Sequence, residues 1–241
     1  MPLSSSRIKF GNTLKTYSFL DESGFLVPSS NNQQILFGLG LIKYSNPFDV
    51  NQKLHRLHEK LCADLRKDDT RIEFSFKGIT EKTLPTTLEA LDILQEDSDW
   101  EFDCIYFDIQ DPQFNIPTNA SARWAMYISN IKLLIEKNLW QNEETILIAD
   151  FLRKPKASNK RFEYIMTDVP QVYNVLQVIS HGVLMVQMAD VLLGGFLYSK
   201  KDAGDQEGYK TRISQKVLEI QKTVGRHRFN TWKRDWGKSS R

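Results

Sequence analysis

The apolar and polar positions of the chain follow two periods, one typical of strands and one typical of helices. Residues 15–22 and 34–44 are rich in aromatic and β-branched side chains and flank a turn-rich segment, which predicts an antiparallel pair of strands. Residues 71–77, RIEFSFK, alternate strictly, which predicts a half-buried strand. Further strands are predicted over residues 100–109, 144–150 and 172–179.

Helical periods separate these strands. Residues 49–66 repeat apolar side chains on one face, and residues 183–198 are apolar almost throughout, which predicts an amphipathic helix and a buried helix. Strands that alternate with helices after an initial antiparallel pair predict an α/β fold, with a mixed β-sheet flanked by helices. Three more helices are predicted over residues 83–96, 120–138 and 212–223.

Three of the predicted strands end in an aspartate, namely Asp21, Asp108 and Asp150. If these strands run parallel, the three carboxylates emerge at one edge of the sheet, where α/β folds usually bind their ligands. A carboxylate at a strand end either caps the following turn or binds a metal ion, and Asp21 in the stretch DESG is open to both interpretations.

Asp190 is the fourth acidic residue of interest, because it lies in the apolar helix, where a buried carboxylate is rare unless it has a partner. Gln187, Asp190 and Gly194 share one face of that helix. One interpretation is a packing contact in which Asp190 accepts a hydrogen bond from a neighbouring backbone N–H. The other is a metal ligand, since several carboxylates in one cleft repel one another unless a cation neutralises them.

The charge of the chain is small overall but uneven. The formal net charge is +2, whereas residues 200–241 carry twelve Lys and Arg against five Asp and Glu, a local charge of +7 that leaves −5 for residues 1–199. A basic segment on an acidic body indicates either a polyanionic partner such as nucleic acid or a solvated surface helix. We therefore divide the chain into an N-terminal arm (1–14), a central domain (15–199) and a basic C-terminal helical extension (200–241).

The sequence also predicts a cytoplasmic protein without a membrane partner. No run is long enough to span a bilayer, and the N-terminus lacks a basic-then-apolar signal sequence. The two cysteines, Cys62 and Cys104, suit reduced thiols and make no zinc-ligand spacing with the four histidines.

Four segments of the chain resemble one known family. The stretches YSFLDESG, EFSFKG, ILIAD and QMADVLLGG are similar to those of the DUF3800 family of bacterial and phage proteins. The resemblance spans roughly residues 15–199 and implies a ribonuclease H-like fold. The chain departs from the family pattern in its aromatic-rich second strand and its basic C-terminal segment. Because the family is named for its unknown function, the resemblance implies a fold more firmly than an activity.

The ribonuclease H-like resemblance also implies a site. In such enzymes, carboxylates from the first strand, a middle strand and the last helix hold two divalent cations, and hard oxygen ligands favour Mg²⁺ or Mn²⁺. By position, Asp21 would bridge the metals, Asp108 or Asp150 would be the middle-strand ligand, and Asp190 the helix ligand. Glu22 and Glu73 are weaker candidates as metal ligands. Basic residues that would contact phosphates are Lys77, Arg153, Lys154 and Lys156.

Three functions are compatible with these residues. The first is a metal-dependent nuclease or related phosphoryl-transfer enzyme acting on DNA or RNA by two-metal-ion chemistry. The second is a non-catalytic ribonuclease H-like module that binds nucleic acid or a protein partner, for example in phage defence. The third is a hydrolase of a small phosphorylated nucleotide, which needs a closed pocket rather than a long basic groove.

Overall fold

The described residues form a seven-stranded mixed β-sheet with helices on both faces. A computed structural model describes residues 9–10, 13–24, 36–66, 72–111, 114, 116–140, 142–152, 155–156, 161–201 and 208–234. The strands are β1 (Lys9–Phe10), β2 (Thr13–Ser23), β3 (Leu36–Tyr44), β4 (Trp100–Asp108), β5 (Glu143–Asp150), β6 (Val172–Val178) and β7 (Phe229–Lys233). The predicted α/β class with a mixed, helix-flanked sheet is confirmed.

The strand order is β6-β5-β2-β3-β4-β7, with β1 added beside the start of β2. Strand β3 is antiparallel to both of its neighbours, whereas the pairs β2–β5, β5–β6 and β4–β7 are parallel. Five strands therefore run in one direction, and their carboxyl ends meet at one edge of the sheet. The described part of the predicted N-terminal arm includes β1, which pairs with β2.

The described helices are α1 (Phe48–Leu65), α2 (Leu84–Glu96), α3 (Ala120–Asn138), α4 (Phe162–Met166), α5 (Leu184–Tyr198) and α6 (Gly208–Val224). They cover the two faces of the sheet unequally. One core packs β2 and β3 against the apolar helix α5, with α1, α2 and α6 around it, and a second core lies beneath α3 and α4. None of the helices in the described ranges has the length and apolarity that crossing a membrane requires.

The strand predicted over residues 71–77 is wrong for the described residues 72–77, which form no part of the sheet. The alternation is nevertheless real, because Ile72 and Phe74 are buried in the α5 core. The backbone N–H of Phe74 donates to Oε1 of Gln187 at 2.9 Å, and the carbonyl of Ile72 bonds to Nε2 of His58 at 2.9 Å. Side chains of two helices thus replace the neighbouring strand that the pattern predicted.

The described part of the basic C-terminal extension packs into the body of the protein. Helix α6 buries Ile213, Val217 and Ile220 in the α5 core, and β7 adds a strand beside β4. Arg228 donates to the carbonyl oxygens of Trp100 at 3.0 Å and Asp97 at 2.6 Å. Part of the positive charge of this segment therefore has a structural role.

Candidate functional site

Asp21 and Asp150 lie side by side at the carboxyl ends of two neighbouring parallel strands. The register pairs Leu20 with Ala149, so the next residues of the two strands, Asp21 and Asp150, are level with each other. Phe19 belongs to the α5 core, and alternation along the strand turns Asp21 toward the same face. The two predicted strand-end carboxylates therefore meet on the face that α5 covers.

Asp190 of α5 completes this group, because α5 packs across β2. The pKa of Asp21 is raised to about 9, first by burial and then by the negative charges of Asp190, Glu22 and Asp150. The backbone N–H of Glu22 donates to Asp21 Oδ1 at 2.8 Å and opposes this rise. The charged neighbours that act on Asp21 are thus all acidic, so near neutral pH the Asp21 carboxyl is protonated in the absence of a cation.

Asp190 also has a structural role. Its Oδ2 atom accepts a hydrogen bond from the backbone N–H of Phe76 at 2.8 Å, and the side chain of Ser75 forms a second hydrogen bond to it. Burial raises the pKa of Asp190 most, these two bonds lower it, and the charges of Glu73 and Asp150 raise it further. The backbone contact that the sequence offered as the alternative to metal binding is present.

Glu22 lies on the opposite face of the sheet from Asp21. Its Oε2 atom accepts a hydrogen bond from the hydroxyl of Tyr127 at 2.6 Å, and Tyr127 is a buried residue of α3. Burial raises the pKa of Glu22, the bond from Tyr127 lowers it, and the charge of Asp150 raises it further. Sequence reasoning missed Tyr127, because a tyrosine on the buried face of a helix carries no distinguishing pattern.

Glu73 organises a second polar group next to Asp190. Its Oε1 atom accepts from the hydroxyl of Ser180 at 3.0 Å and contacts Nδ1 of His181. The backbone N–H of Ser180 donates in turn to Asp150 Oδ1 at 3.1 Å. The loop before α5 therefore connects Glu73 to Asp150. Sequence reasoning missed His181, since no spacing in the sequence relates it to the aspartates.

A cavity of about 890 Å³ opens beside this group. Glu73, Ser75 and His181 line it on the side of Asp190, and Lys77 lies on its exposed rim. Among the predicted phosphate-contacting residues, Lys156 is also exposed, whereas Arg153 and Lys154 lie outside the described residues. The cavity thus brings a histidine and a lysine together next to Glu73, whereas none of Asp21, Asp150 and Asp190 is among its described lining residues.

Asp108 is not brought into the group. Strand β3 separates β4 from β2, and Cys104 rather than Asp108 is level with Asp21 across the sheet. Asp108 lies 3.8 Å from Nζ of Lys233, and its Oδ1 atom accepts from the backbone N–H of Gln110 at 3.0 Å. Of the two middle-strand candidates, Asp150 is the one beside Asp21.

The donor chemistry of Asp21, Asp150 and Asp190 fits a hard divalent cation, because all three offer carboxylate oxygens and they act on one another electrostatically. As positioned, however, no group of three or more His, Cys, Asp or Glu side chains within the described ranges is arranged to hold a metal ion. Asp150 and Asp190 instead bind the backbone N–H groups of Ser180 and Phe76.

No known family model matches this chain, and no curated protein and no solved structure matches it significantly.

Proposed function

We propose that this protein is a metal-dependent nuclease, or a related phosphoryl-transfer enzyme, that acts on nucleic acid. The observation that carries the proposal is the convergence of Asp21, Asp150 and Asp190, in which Asp190 and Asp150 raise the pKa of Asp21. Clustered, half-buried carboxylates cost folding free energy, and a bound cation compensates that cost. Because these carboxylates destabilise the fold and lie at the carboxyl edge of parallel strands, they indicate a functional site rather than a stabilising contact.

Mg²⁺ or Mn²⁺ would be held by Asp21 together with Asp150 and Asp190, after the last two side chains turn from their backbone partners. When bound, such ions neutralise the phosphate and stabilise the attacking and leaving oxygens of a phosphodiester displacement. Asp21 must lose its proton to become a ligand. Cation binding is therefore coupled to proton release from Asp21.

The protein's own residues would position the substrate beside the acidic group. Lys77 on the rim of the 890 Å³ cavity is placed to bind a phosphate oxygen. Glu73 holds Nδ1 of His181, which leaves Nε2 as the ring nitrogen that can exchange a proton with the substrate. His181 is thus a proposed proton donor or acceptor, and Glu73 is its positioning residue.

The arrangement of the sheet supports the proposed ribonuclease H-like fold for residues 15–199. A first long strand, a neighbouring parallel strand and a helix across the sheet each contribute a carboxylate, as the resemblance to the DUF3800 family implies. We extend the proposal to a cytoplasmic protein whose basic residues contact a polyanion.

The test is a cleavage assay with single- and double-stranded DNA and RNA in Mg²⁺ or Mn²⁺. Asp21→Asn and Asp190→Asn should each reduce cleavage by roughly a hundredfold or more, since each removes a charge that the cation needs. Asp108→Asn is the matched control, because its carboxylate pairs with Lys233 and lies two strands away. Equal cleavage by wild type and Asp21→Asn would refute the assignment.

Two alternative functions are each supported by a specific observation. The use of Asp150 and Asp190 as acceptors for backbone N–H groups favours the non-catalytic binding module. That module would bind nucleic acid or a protein without cleavage and without any dependence on metal. The size of the 890 Å³ cavity favours a hydrolase of a small phosphorylated nucleotide, which would cleave mononucleotides in preference to polymers.

A further inference from the structure

A second cavity lies on the face of the sheet opposite to the acidic group. Its volume is about 280 Å³, and its walls include Glu22, Trp124, Tyr127 and Phe151. This volume lies just below that of pockets for drug-sized ligands and suits a single planar ring system. Ala120, Arg123, Leu152 and Pro155 complete the lining, so the walls are mainly aromatic and apolar, and we call this cavity the slot.

The cavity is tied to the acidic group through the chain itself. Glu22 directly follows Asp21, and Phe151 directly follows Asp150. Because successive residues of a strand point to opposite faces, the two strand ends send their aspartates toward α5 and the next residues toward α3. Two residues that line the slot are therefore each adjacent in sequence to an aspartate of the acidic group, although they lie on the opposite face of the sheet.

The aromatic walls are held in place, and two of them, Trp124 and Phe151, retain open surface. Trp124 stacks on the buried Tyr127 with a ring separation of 5.9 Å and an interplanar angle of 15°. Phe162 packs edge-on against Trp124 with the ring centroids 6.5 Å apart. Phe151 is 59% exposed, so most of its ring surface is accessible to a stacking partner. Stacking against such rings is open to any base, since every base has a π-face.

The polar wall favours a base over a phosphate. Tyr127 fixes Glu22 through the 2.6 Å hydrogen bond to Oε2, so the carboxyl group is oriented within the wall. Arg123 also lines the cavity, but its guanidinium donates to the carbonyl oxygens of Pro117 and Thr118. The ionised carboxylate of Glu22 would repel a phosphate, whereas its oxygens accept hydrogen bonds from the exocyclic amino groups of bases. Positive charge for the phosphates is available from the exposed Lys156, which follows Phe151 in the sequence.

We propose that the slot formed by Glu22, Trp124, Tyr127 and Phe151 binds one unpaired base of a single-stranded nucleic acid. The base would stack on the aromatic walls while its backbone passes the edge of the sheet that carries Asp21 and Asp150. This inference deepens the proposed function and rests on it, since it names single-stranded nucleic acid as the substrate class.

The test measures binding without catalysis. Fluorescence anisotropy in EDTA compares a labelled single-stranded deoxycytidine oligomer with an oligomer of equal length and phosphate number whose sugars are abasic. The full protein should bind the oligomer with bases more tightly, and Phe151→Ala should weaken that binding by roughly fivefold to a hundredfold. Phe48→Ala is the matched control, because Phe48 is 62% exposed and lies in α1, which is not part of the slot.

Trp124→Phe supplies a second variant, because it keeps an aromatic ring and should lose less affinity than Phe151→Ala. Equal affinity for the two oligomers, or equal effects of Phe151→Ala and Phe48→Ala, overturns the proposal. Failure of the nuclease proposal gives a different result, in which base-dependent binding persists in EDTA but no cation supports cleavage. Preference for duplex over single strands also overturns the slot, since a paired base cannot enter it.

Discussion

The Oδ2 atom of Asp190 accepts a hydrogen bond from the backbone N–H of Phe76 at 2.8 Å. The same carboxylate raises the pKa of Asp21 on the first long strand of the sheet. Asp190 therefore fixes residues 72–76 to helix α5 and contributes charge to the candidate site. Substitutions that separate the acceptor oxygen from the charge distinguish these two roles.

Asp190→Ala should destabilise the protein by about 1–3 kcal/mol, because it leaves the buried N–H of Phe76 without its acceptor. Asp190→Asn keeps an acceptor oxygen and removes the charge, so in EDTA its stability should equal or exceed that of wild type. Urea unfolding at pH 8 measures both differences. Equal destabilisation by the two substitutions would mean that the charge itself supports the fold.

The stability of the metal-free protein should fall as the pH rises. Burial and acidic neighbours raise the pKa of Asp21 from 3.8 to about 9, so between these values the folded state binds the proton more tightly than the unfolded state. The stabilisation that Asp21 gives the folded state is fully present below pH 3.8 and is lost as the pH rises toward 9. The slope from one proton is at most about 1.4 kcal/mol per pH unit. Urea unfolding across pH 5–9 should give a flatter profile for Asp21→Asn, and an unchanged profile would contradict the pKa assigned to Asp21.

Mg²⁺ or Mn²⁺ at millimolar concentration should raise the melting temperature of wild type by a few degrees, because a ligand of the folded state stabilises it. The gain should be larger at pH 8 than at pH 6, since Asp21 releases its proton on binding the cation. Differential scanning fluorimetry measures the shift. Asp21→Asn should abolish the gain, whereas Asp108→Asn should retain it, and no gain in wild type would favour the non-catalytic module.

The sequence predicted the sheet, the apolar helix and four aspartates, three of which (Asp21, Asp150 and Asp190) lie together, because each has a local signal. A strand that ends in a carboxylate is visible as a pattern, and so is an aspartate in an apolar helix. Whether strands are neighbours is not visible. Asp108 ends its strand as Asp150 does, but the inserted antiparallel strand β3 separates it from Asp21.

The other differences between the predicted and the observed structure also arise from contacts between residues that are distant in sequence. Strict alternation reports which side chains of residues 72–76 are buried, but it does not report whether a strand or the side chains of Gln187 and Asp190 satisfy the backbone. His181 and Tyr127 gain their importance from long-range contacts to Glu73 and Glu22. Contacts of this kind have no local pattern, so only the fold reveals them.

Gly194→Ala should destabilise the protein by about 1–3 kcal/mol through overpacking. A Cβ atom at this position would lie 2.5 Å from Cβ and Cγ of Phe76, and those atoms next to the backbone cannot move away easily. The displaced Phe76 should also weaken its hydrogen bond to Asp190. Gly182→Ala is the control, since a Cβ atom there meets nothing within 4 Å. Urea unfolding compares the two variants, and a stable Gly194→Ala protein would show that residues 72–76 are not packed tightly on α5.

Arg228→Ala should lower the free energy of unfolding by about 1.5–3 kcal/mol, because it removes charge-assisted hydrogen bonds to the carbonyl oxygens of Trp100 and Asp97. The guanidinium also lies 5.1 Å from the centre of the Trp100 ring. Arg226→Ala removes the same charge from an exposed position two residues earlier and should change stability by less than about 0.5 kcal/mol. Urea unfolding gives both values. Equal destabilisation by the two substitutions would contradict the structural role of Arg228.

The same two substitutions also test whether the exposed charges of this segment bind nucleic acid. Anisotropy with labelled single-stranded DNA across a salt series gives the effect of each substitution on binding. If Arg226→Ala weakens binding and flattens its salt dependence while leaving stability intact, the exposed charges of this segment contact phosphate.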